Sequence, residues 1–511
     1  MNVSKLLAIN GNKYPDKEAL ICGEQRLTYR QWNEAANHLA RLLEQRGVQP
    51  GDKIVLMMPN VPEFAILYFA IIRAGGIVVP INPRFSHDEA AYILDDCQAK
   101  ALFVHEAVYP AVRRLAENAD GRLYVKTGPA EGAWESLDDW KNTAVTEGPA
   151  FDHWALTEDD EVDILYTSGT TGRPKGVRFT HRNLLAVSTM IAVEFECNTD
   201  SRILHMMPLS HSAPLHLMFI AGVVVGAAHV FHPTFAPDIF LKLAEQERIT
   251  HFFGAPVAYL LSMQLPDFDR RDLSAAKYWI YGGAPLSKLQ ADAIAEKFGK
   301  DKLVCVYGLT EAGPSGTLLR HRDHHHKSGS IGNRAALFTE IEIVDEQGRL
   351  CAPGQVGEIR LRGEGTMIGY LNRPEETALT IRDGWVYTGD LAYRDEDGFF
   401  WIVDRKKDVI ISGGVNIYPK EVEDALIAHP DIQEVAVVGV PHEVWGETVK
   451  AFIVLKPGTP ERDEAAWLKQ IREFLTGKLA DYKMPRLVTT LEQLPRNANG
   501  KILKHQLKDL S

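Results

Sequence analysis

Residues 166–176 hold three glycines, four aliphatic hydroxyls and one lysine, directly after the apolar run 162–165. An apolar strand that runs into Thr167, Ser168, Gly169, Thr170, Thr171, Gly172 and Lys175 brings backbone N–H groups, hydroxyls and an ammonium to one small volume. Such a loop is a cradle for a polyphosphate, whose turn glycines let the main chain close on the anion. A P-loop of the usual kind places Ser or Thr directly after its lysine to hold Mg²⁺. Here Gly176 follows Lys175, so a metal ligand must come from elsewhere in the chain.

The elements around this loop read as α/β. Trp32, Ala35, Ala36, Leu39, Leu42 and Leu43 recur at helical spacing up to Gly47 and Pro50. A short buried strand at 54–58, a helix at 64–72 closed by Gly75 and Gly76, and a strand at 77–80 follow. Strand–helix–strand order with apolar strands predicts a parallel sheet covered on both faces. The pattern returns around Val230 and Phe231, at 250–253, at 278–281 and at 303–307. The last three strands each run into a glycine-containing loop, the place where ligands of open α/β sheets bind.

From about residue 340 the texture changes to short alternating strands at 340–344, 357–362 and 399–404, separated by acidic turns, a small β subdomain. A third texture follows Lys407, with a helix at 420–428, strands at 435–440 and 449–455, and a helix from about 463 to 479. The expected organisation is an N-terminal domain at 1–406, with the β subdomain inside it, and a C-terminal α+β domain at 407–511.

With 511 residues, 45% apolar and 24% charged, the chain has an ordinary soluble composition and is too long for one core. A net charge of −12 speaks against a nucleic-acid surface. The five cysteines form no CxxC pair, which predicts reduced, buried thiols in a cytosolic protein. No signal segment opens the sequence and no peroxisomal address closes it, so the expected location is the cytoplasm. The longest uncharged apolar run, 217–228, is too short to span a bilayer and reads as a buried helix. The tract from Arg320 to Lys327, with His321, His324, His325 and His326, lacks the spacing of a zinc site and reads as a solvated loop.

Further clusters fall on the loops this topology gathers: Gly282-Gly283-Ala284-Pro285, Tyr307-Gly308-Leu309-Thr310-Glu311, Tyr387-Thr388-Gly389-Asp390, Asp404-Arg405-Lys406-Lys407-Asp408 and Pro495-Arg496-Asn497-Ala498-Asn499-Gly500-Lys501. In this order, beside the loop at 167–175, they resemble the adenylate-forming superfamily of acyl-CoA synthetases, luciferases and peptide-synthetase adenylation domains. The resemblance spans nearly the whole chain. It implies two half-reactions: a carboxylate attacks the α-phosphorus of ATP to give acyl-AMP and pyrophosphate, and a thiol then displaces AMP.

The resemblance also implies roles. Residues 167–175 hold the β- and γ-phosphates, and Gly282, Gly283, Ala284 and Pro285 form the adenine wall. Tyr307 stacks on adenine, and Gly308 belongs to the same nucleotide-binding segment. Thr310 bonds the α-phosphate and Glu311 supplies the Mg²⁺ ligand. Asp390 accepts from the ribose hydroxyls and Arg405 meets ribose and phosphate. Lys501 bridges the attacking carboxylate and the α-phosphate. Lys407 is the hinge about which a mobile C-terminal domain rotates, and Ser412, Gly413 and Gly414 form the loop delivered for coenzyme A.

The segment Pro208-Leu209-Ser210-His211 matches the family's acyl-pocket lining. Amino-acid-activating relatives carry an aspartate in this segment; here His211 takes the place, which implies a substrate without an ammonium. Small residues at 282–284, 308 and 312–316 suit a fatty or an aryl acid. The leading expectation is a medium- or long-chain fatty acid joined to CoA, with an aryl acid next and a carrier protein's pantetheine arm as the competing thiol. No carrier domain follows Ser511, which favours free CoA. Relatives are often dimers, and no residue here decides it.

Overall fold

The computed structural model describes residues 1–118, 121–145, 156–167, 173–284, 286–460, 462–496 and 502–510. The chain forms two compact units, 1–341 with 361–386, and 342–360 with 387–511, so it crosses between them within strands Thr339–Val344, Gly357–Gly363 and Trp385–Arg394.

The first unit holds two eight-stranded sheets. In one, strands Leu303–Tyr307, Tyr278–Gly282, His251–Gly254, Arg202–His205, Ala228–Phe231 and Glu18–Cys22 lie parallel in that spatial order, with an antiparallel strand at each edge. In the other, Glu161–Thr167, Ile77–Pro80, Lys53–Met57, Ala101–Val104 and Leu123–Lys126 run parallel, while Lys175–Thr180 and Gly369–Tyr370 close the first edge antiparallel. The central strands are buried along their length, as strands covered on both faces must be.

Local signals place the helices. Thr28 caps helix Tyr29–Gln45 in a capping box with Gln31, and Ser287 caps Lys288–Phe298 with Gln290 in the same way. The apolar stripe of the first helix buries Trp32 edge-on against Phe69, with ring centroids 5.3 Å apart. The expected helix at 217–228 differs in detail. A π-helix spans Ala213–Ile220, an α-helix continues through Ala221–Val225, and Ala228 already belongs to a strand. A uniformly apolar run carries no period, so sequence alone does not mark either end.

In the second unit, strands Ile432–His442 and Gly446–Leu455 form a long antiparallel pair, joined by Ile410–Ser412, Val415–Ile417 and the parallel Leu487–Thr490. Helices Pro419–Leu426 and Glu464–Leu475 bury Val422, Leu426, Trp467, Ile471 and Leu475 in the core of this sheet.

Candidate functional site

Strand Glu161–Thr167 pairs with Lys175–Thr180 in a register that sets Thr167 opposite Lys175. The glycine- and hydroxyl-rich segment therefore connects two paired strands, and Lys175 opens the second. Ser168, Gly169, Thr170, Thr171 and Gly172 lie outside the described residues. The exit of the loop is pinned: the Tyr92 hydroxyl donates to the Pro174 carbonyl at 3.1 Å, and the Arg173 guanidinium lies 5.3 Å from the centre of the Tyr92 ring. The Lys175 ammonium pairs with Glu376 and sits 5.4 Å from the centre of the Tyr370 ring.

On the strand that feeds the loop, the wholly buried Asp163 accepts from the Tyr68 hydroxyl at 2.8 Å and lies 2.9 Å from His216 Nε2. His216 belongs to the π-helix, so one carboxylate joins the strand that feeds the loop to the helix that follows His211. π-Helical segments recur at functional sites.

Strands Tyr278–Gly282 and Leu303–Tyr307 are parallel neighbours, so Gly283 and Ala284 emerge beside Tyr307 and Gly308. Gly282 is required by the sheet itself: a Cβ there would lie 2.5 Å from the Val306 carbonyl oxygen. Gly283, with φ +77°, faces open space. Pro285 lies outside the described residues. Thr310 and Glu311 sit in the single 3₁₀ turn Thr310–Ala312. The Thr310 hydroxyl is 2.9 Å from that of Ser212, and Glu311 Oε1 accepts from the Tyr370 hydroxyl at 2.8 Å. His211, half-buried, accepts through its carbonyl from Leu215 N–H at 3.0 Å, at the entry to the π-helix.

The first unit thus gathers His211, Thr310, Glu311 and Lys175 through two residues that sequence reasoning did not single out, Ser212 and Tyr370. Ser212 was one step from the recognised segment. Tyr370 is 59 positions from Glu311, and no local pattern marks it.

In the second unit, Asp390 and Arg405 are cross-strand partners, with Arg405 Nε 2.6 Å from Asp390 Oδ1. Asp390 is buried while its partner stays partly exposed. Asp404 accepts from the backbone N–H groups of Arg405 and Lys420, both at 2.7 Å. Burial raises its carboxyl pKa above the ordinary value. Lys406 pairs with Glu358 at 3.0 Å, and Lys407 stands exposed in the 3₁₀ turn Lys406–Asp408. Ser412, Gly413 and Gly414 form the end of a tight hairpin, whose strands pair Ser412 with Val415. Gly413 and Gly414 have φ +58° and +81°, as a two-residue turn with both centres left-handed demands. That turn alone explains the glycine pair. Lys501 lies outside the described residues, as do Asn497, Ala498, Asn499 and Gly500.

Two sequence expectations are corrected here. The histidine tract is the helix His321–Lys327 rather than a loop. His324 is buried in it, 3.3 Å from the Tyr281 hydroxyl, because one face of the helix packs inward while the charged residues stay outside. Of the five free cysteines, Cys97, Cys197 and Cys305 are buried, whereas Cys22 and Cys351 are only half so. No group of three metal-binding side chains occurs among the described residues, and no described helix is long and apolar enough to cross a membrane.

Two α/β sheets, a loop rich in glycine and hydroxyls and a Thr–Glu turn in the first unit, together with an Asp–Arg pair in the second, define an adenylate-forming enzyme. The family model described as AMP-binding enzyme matches residues 7–371, and that of the AMP-binding enzyme C-terminal domain matches 421–501; the chain belongs to this family. It is 35% identical to a long-chain-fatty-acid–CoA ligase of Bacillus subtilis, over 99% of this chain and 94% of that protein. It is 38% identical to a feruloyl-CoA synthase of Amycolatopsis sp., over 97% and 96% respectively. The solved structure of ATP-bound MatB from Rhodopseudomonas palustris has a TM-score of 0.88 at 31% identity, covering 100% of this chain and 99% of that one. The activity is that of an AMP-forming acid–thiol ligase.

Proposed function

We propose that this enzyme joins a medium- or long-chain fatty acid to coenzyme A in the cytoplasm, at the expense of ATP, through an acyl-AMP intermediate. The observation that carries the reading is the Ser212–Thr310 contact at 2.9 Å, which ties the acid-pocket segment ending at His211 to the hydroxyl assigned to the α-phosphate. A carboxylate oxygen and the α-phosphorus would have to meet there.

In the first half-reaction a carboxylate oxygen attacks the α-phosphorus, and the bond to the bridging oxygen of pyrophosphate breaks. Thr310 donates its hydroxyl to the α-phosphate, and Lys175 neutralises the β- and γ-phosphates. Catalysis of this kind rests on position and electrostatics, because charge spreads over phosphate oxygens as the bonds exchange. The Glu311 carboxylate, held by Tyr370, suits a Mg²⁺ ion, a hard cation that prefers oxygen ligands. Magnesium would neutralise phosphate charge when bound. Asp390 accepts from the ribose diol, and Arg405, oriented by the Asp390 pair, reaches ribose and phosphate. Lys501 offsets the charge of the attacking carboxylate and the α-phosphate.

In the second half-reaction the thiolate sulfur of CoA attacks the acyl carbonyl, and AMP departs with the bonding electron pair. The hairpin at Ser412, Gly413 and Gly414 guides the pantetheine arm after residues 407–511 rotate about Lys407. An aryl acid is the second reading, favoured by the likeness to a feruloyl-CoA synthase.

AMP release measured with acids from acetate to palmitate, benzoate, cinnamates and amino acids, each with and without CoA, tests this. Turnover confined to fatty acids and dependent on CoA supports the leading reading. Turnover confined to benzoate or cinnamates supports the second. Pyrophosphate release without CoA turnover points to a carrier-protein thiol.

A further inference from the structure

The Lys175 ammonium already has an anion. Its partner Glu376 sits on helix Pro374–Thr380; the lysine is largely shielded, at 15% exposure, and the carboxylate is partly exposed, at 33%. The helix has further anchors, and one of them, Arg373, also sets its Nε 3.9 Å from Glu376 Oε1. Arg373, one turn earlier, meets Asp96 at 3.0 Å, and the same carboxylate accepts from the Tyr166 hydroxyl at 2.7 Å on the strand that enters the loop. Thr377 Oγ1 accepts from the Tyr370 N–H at 2.9 Å. The carboxylate of Glu376 is thus held on an anchored helix beside the ammonium read as a phosphate ligand.

We propose that Glu376 is the resting counter-ion of Lys175, displaced when a polyphosphate binds and recaptured by the lysine when pyrophosphate leaves. The inference rests on the reading of Lys175 as a phosphate ligand. A singly charged, partly exposed carboxylate holds an ammonium weakly. A polyphosphate with several negative charges displaces it and then feels its repulsion. Glu376 therefore lowers affinity for both ATP and pyrophosphate, and favours product release. Tyr370 keeps the ammonium over its ring face during the exchange, so the lysine moves between two anions without leaving the site.

The test is calorimetric titration of the full-length protein with pyrophosphate and with ATP in magnesium buffer, which requires no knowledge of the acid. Glu376→Gln keeps the shape and removes the charge. The expected result is pyrophosphate binding tighter by roughly two- to fivefold, the scale of a partly exposed ion pair, with ATP shifted in the same direction. Glu376→Ala should reproduce it, and an unchanged thermal midpoint confirms the fold of each variant. Lys175→Ala should weaken both ligands. If Lys175→Ala weakens pyrophosphate binding while Glu376→Gln leaves it unchanged or weakens it, the counter-ion role is wrong and the phosphate reading stands. If Lys175→Ala changes nothing, the phosphate reading itself fails and takes the inference with it.

Discussion

Tyr370 donates its phenol hydroxyl to Glu311 at 2.8 Å while its ring face carries the Lys175 ammonium at 5.4 Å. One buried aromatic thereby spaces the proposed metal ligand from the proposed phosphate ligand. Tyr370→Phe removes the first contact and keeps the second. A hydrogen bond to a charged group contributes about 1.5–3 kcal/mol. Part of that is recovered by water, so kcat/KM for ATP should fall about tenfold. Steady-state kinetics at saturating acid and CoA check this; an unchanged kcat/KM would contradict the role given to Tyr370.

Asp390 and Arg405 face each other across two strands at 2.6 Å. Asp390→Asn keeps an acceptor but loses the charge that orients the guanidinium. The KM for ATP should rise about tenfold or more, since each tenfold corresponds to about 1.4 kcal/mol. The half-reaction that starts from supplied acyl-AMP should be less affected in kcat. Comparing the two with one enzyme preparation decides it.

Lys501 and Lys407 make a pair of opposite predictions. Lys501→Ala should abolish adenylate formation and spare the attack of CoA on supplied acyl-AMP. Lys407→Pro fixes a backbone torsion at the hinge, and should spare adenylation while blocking thioester formation. Equal loss of both half-reactions in either variant would refute the division of labour between these residues.

Much of this arrangement was legible because strands end where their loops begin. Tyr307 and Gly282 close neighbouring parallel strands, so their loops had to meet. Within each motif that carries adenylate chemistry, the residues also lie within a few positions of one another in sequence. What stayed hidden is what tertiary structure alone creates. Ser212 and Thr310 touch across 98 positions, and Tyr68, Asp163 and His216 come from three separate elements. The π-helix Ala213–Ile220 is apolar apart from His216, so no periodicity distinguishes its winding. The histidine-rich helix reads as a loop because its charged residues outnumber the single side chain, His324, that faces inward.

Buried histidines predict an acid-sensitive fold. Burial lowers the pKa of His205 to about 3, and those of His181 and His251 to about 4. His205 Nε2 lies 3.0 Å from His229 Nδ1, a contact that needs at least one neutral ring. The unfolded chain protonates such groups near pH 6.5, whereas the folded chain resists until far lower pH. Their contribution is therefore complete above pH 6.5 and is lost as pH falls from 6.5 towards 4. Each histidine costs about 1.4 kcal/mol per pH unit in that window. Urea midpoints at pH 7.5, 6.0 and 5.0 should fall steadily below 6.5; a flat midpoint across this range would contradict the burial account.

The central claim is that the acid is activated by attack on the α-phosphorus. The most direct measurement supplies the acid that the panel selects, labelled with oxygen-18 in its carboxylate, together with ATP and CoA. The nucleotide and pyrophosphate products are then analysed by mass spectrometry. Adenylation predicts one labelled oxygen in AMP and none in pyrophosphate, with AMP formed in step with the thioester. Formation of ADP and labelled inorganic phosphate would show attack at the terminal phosphorus and would contradict the account.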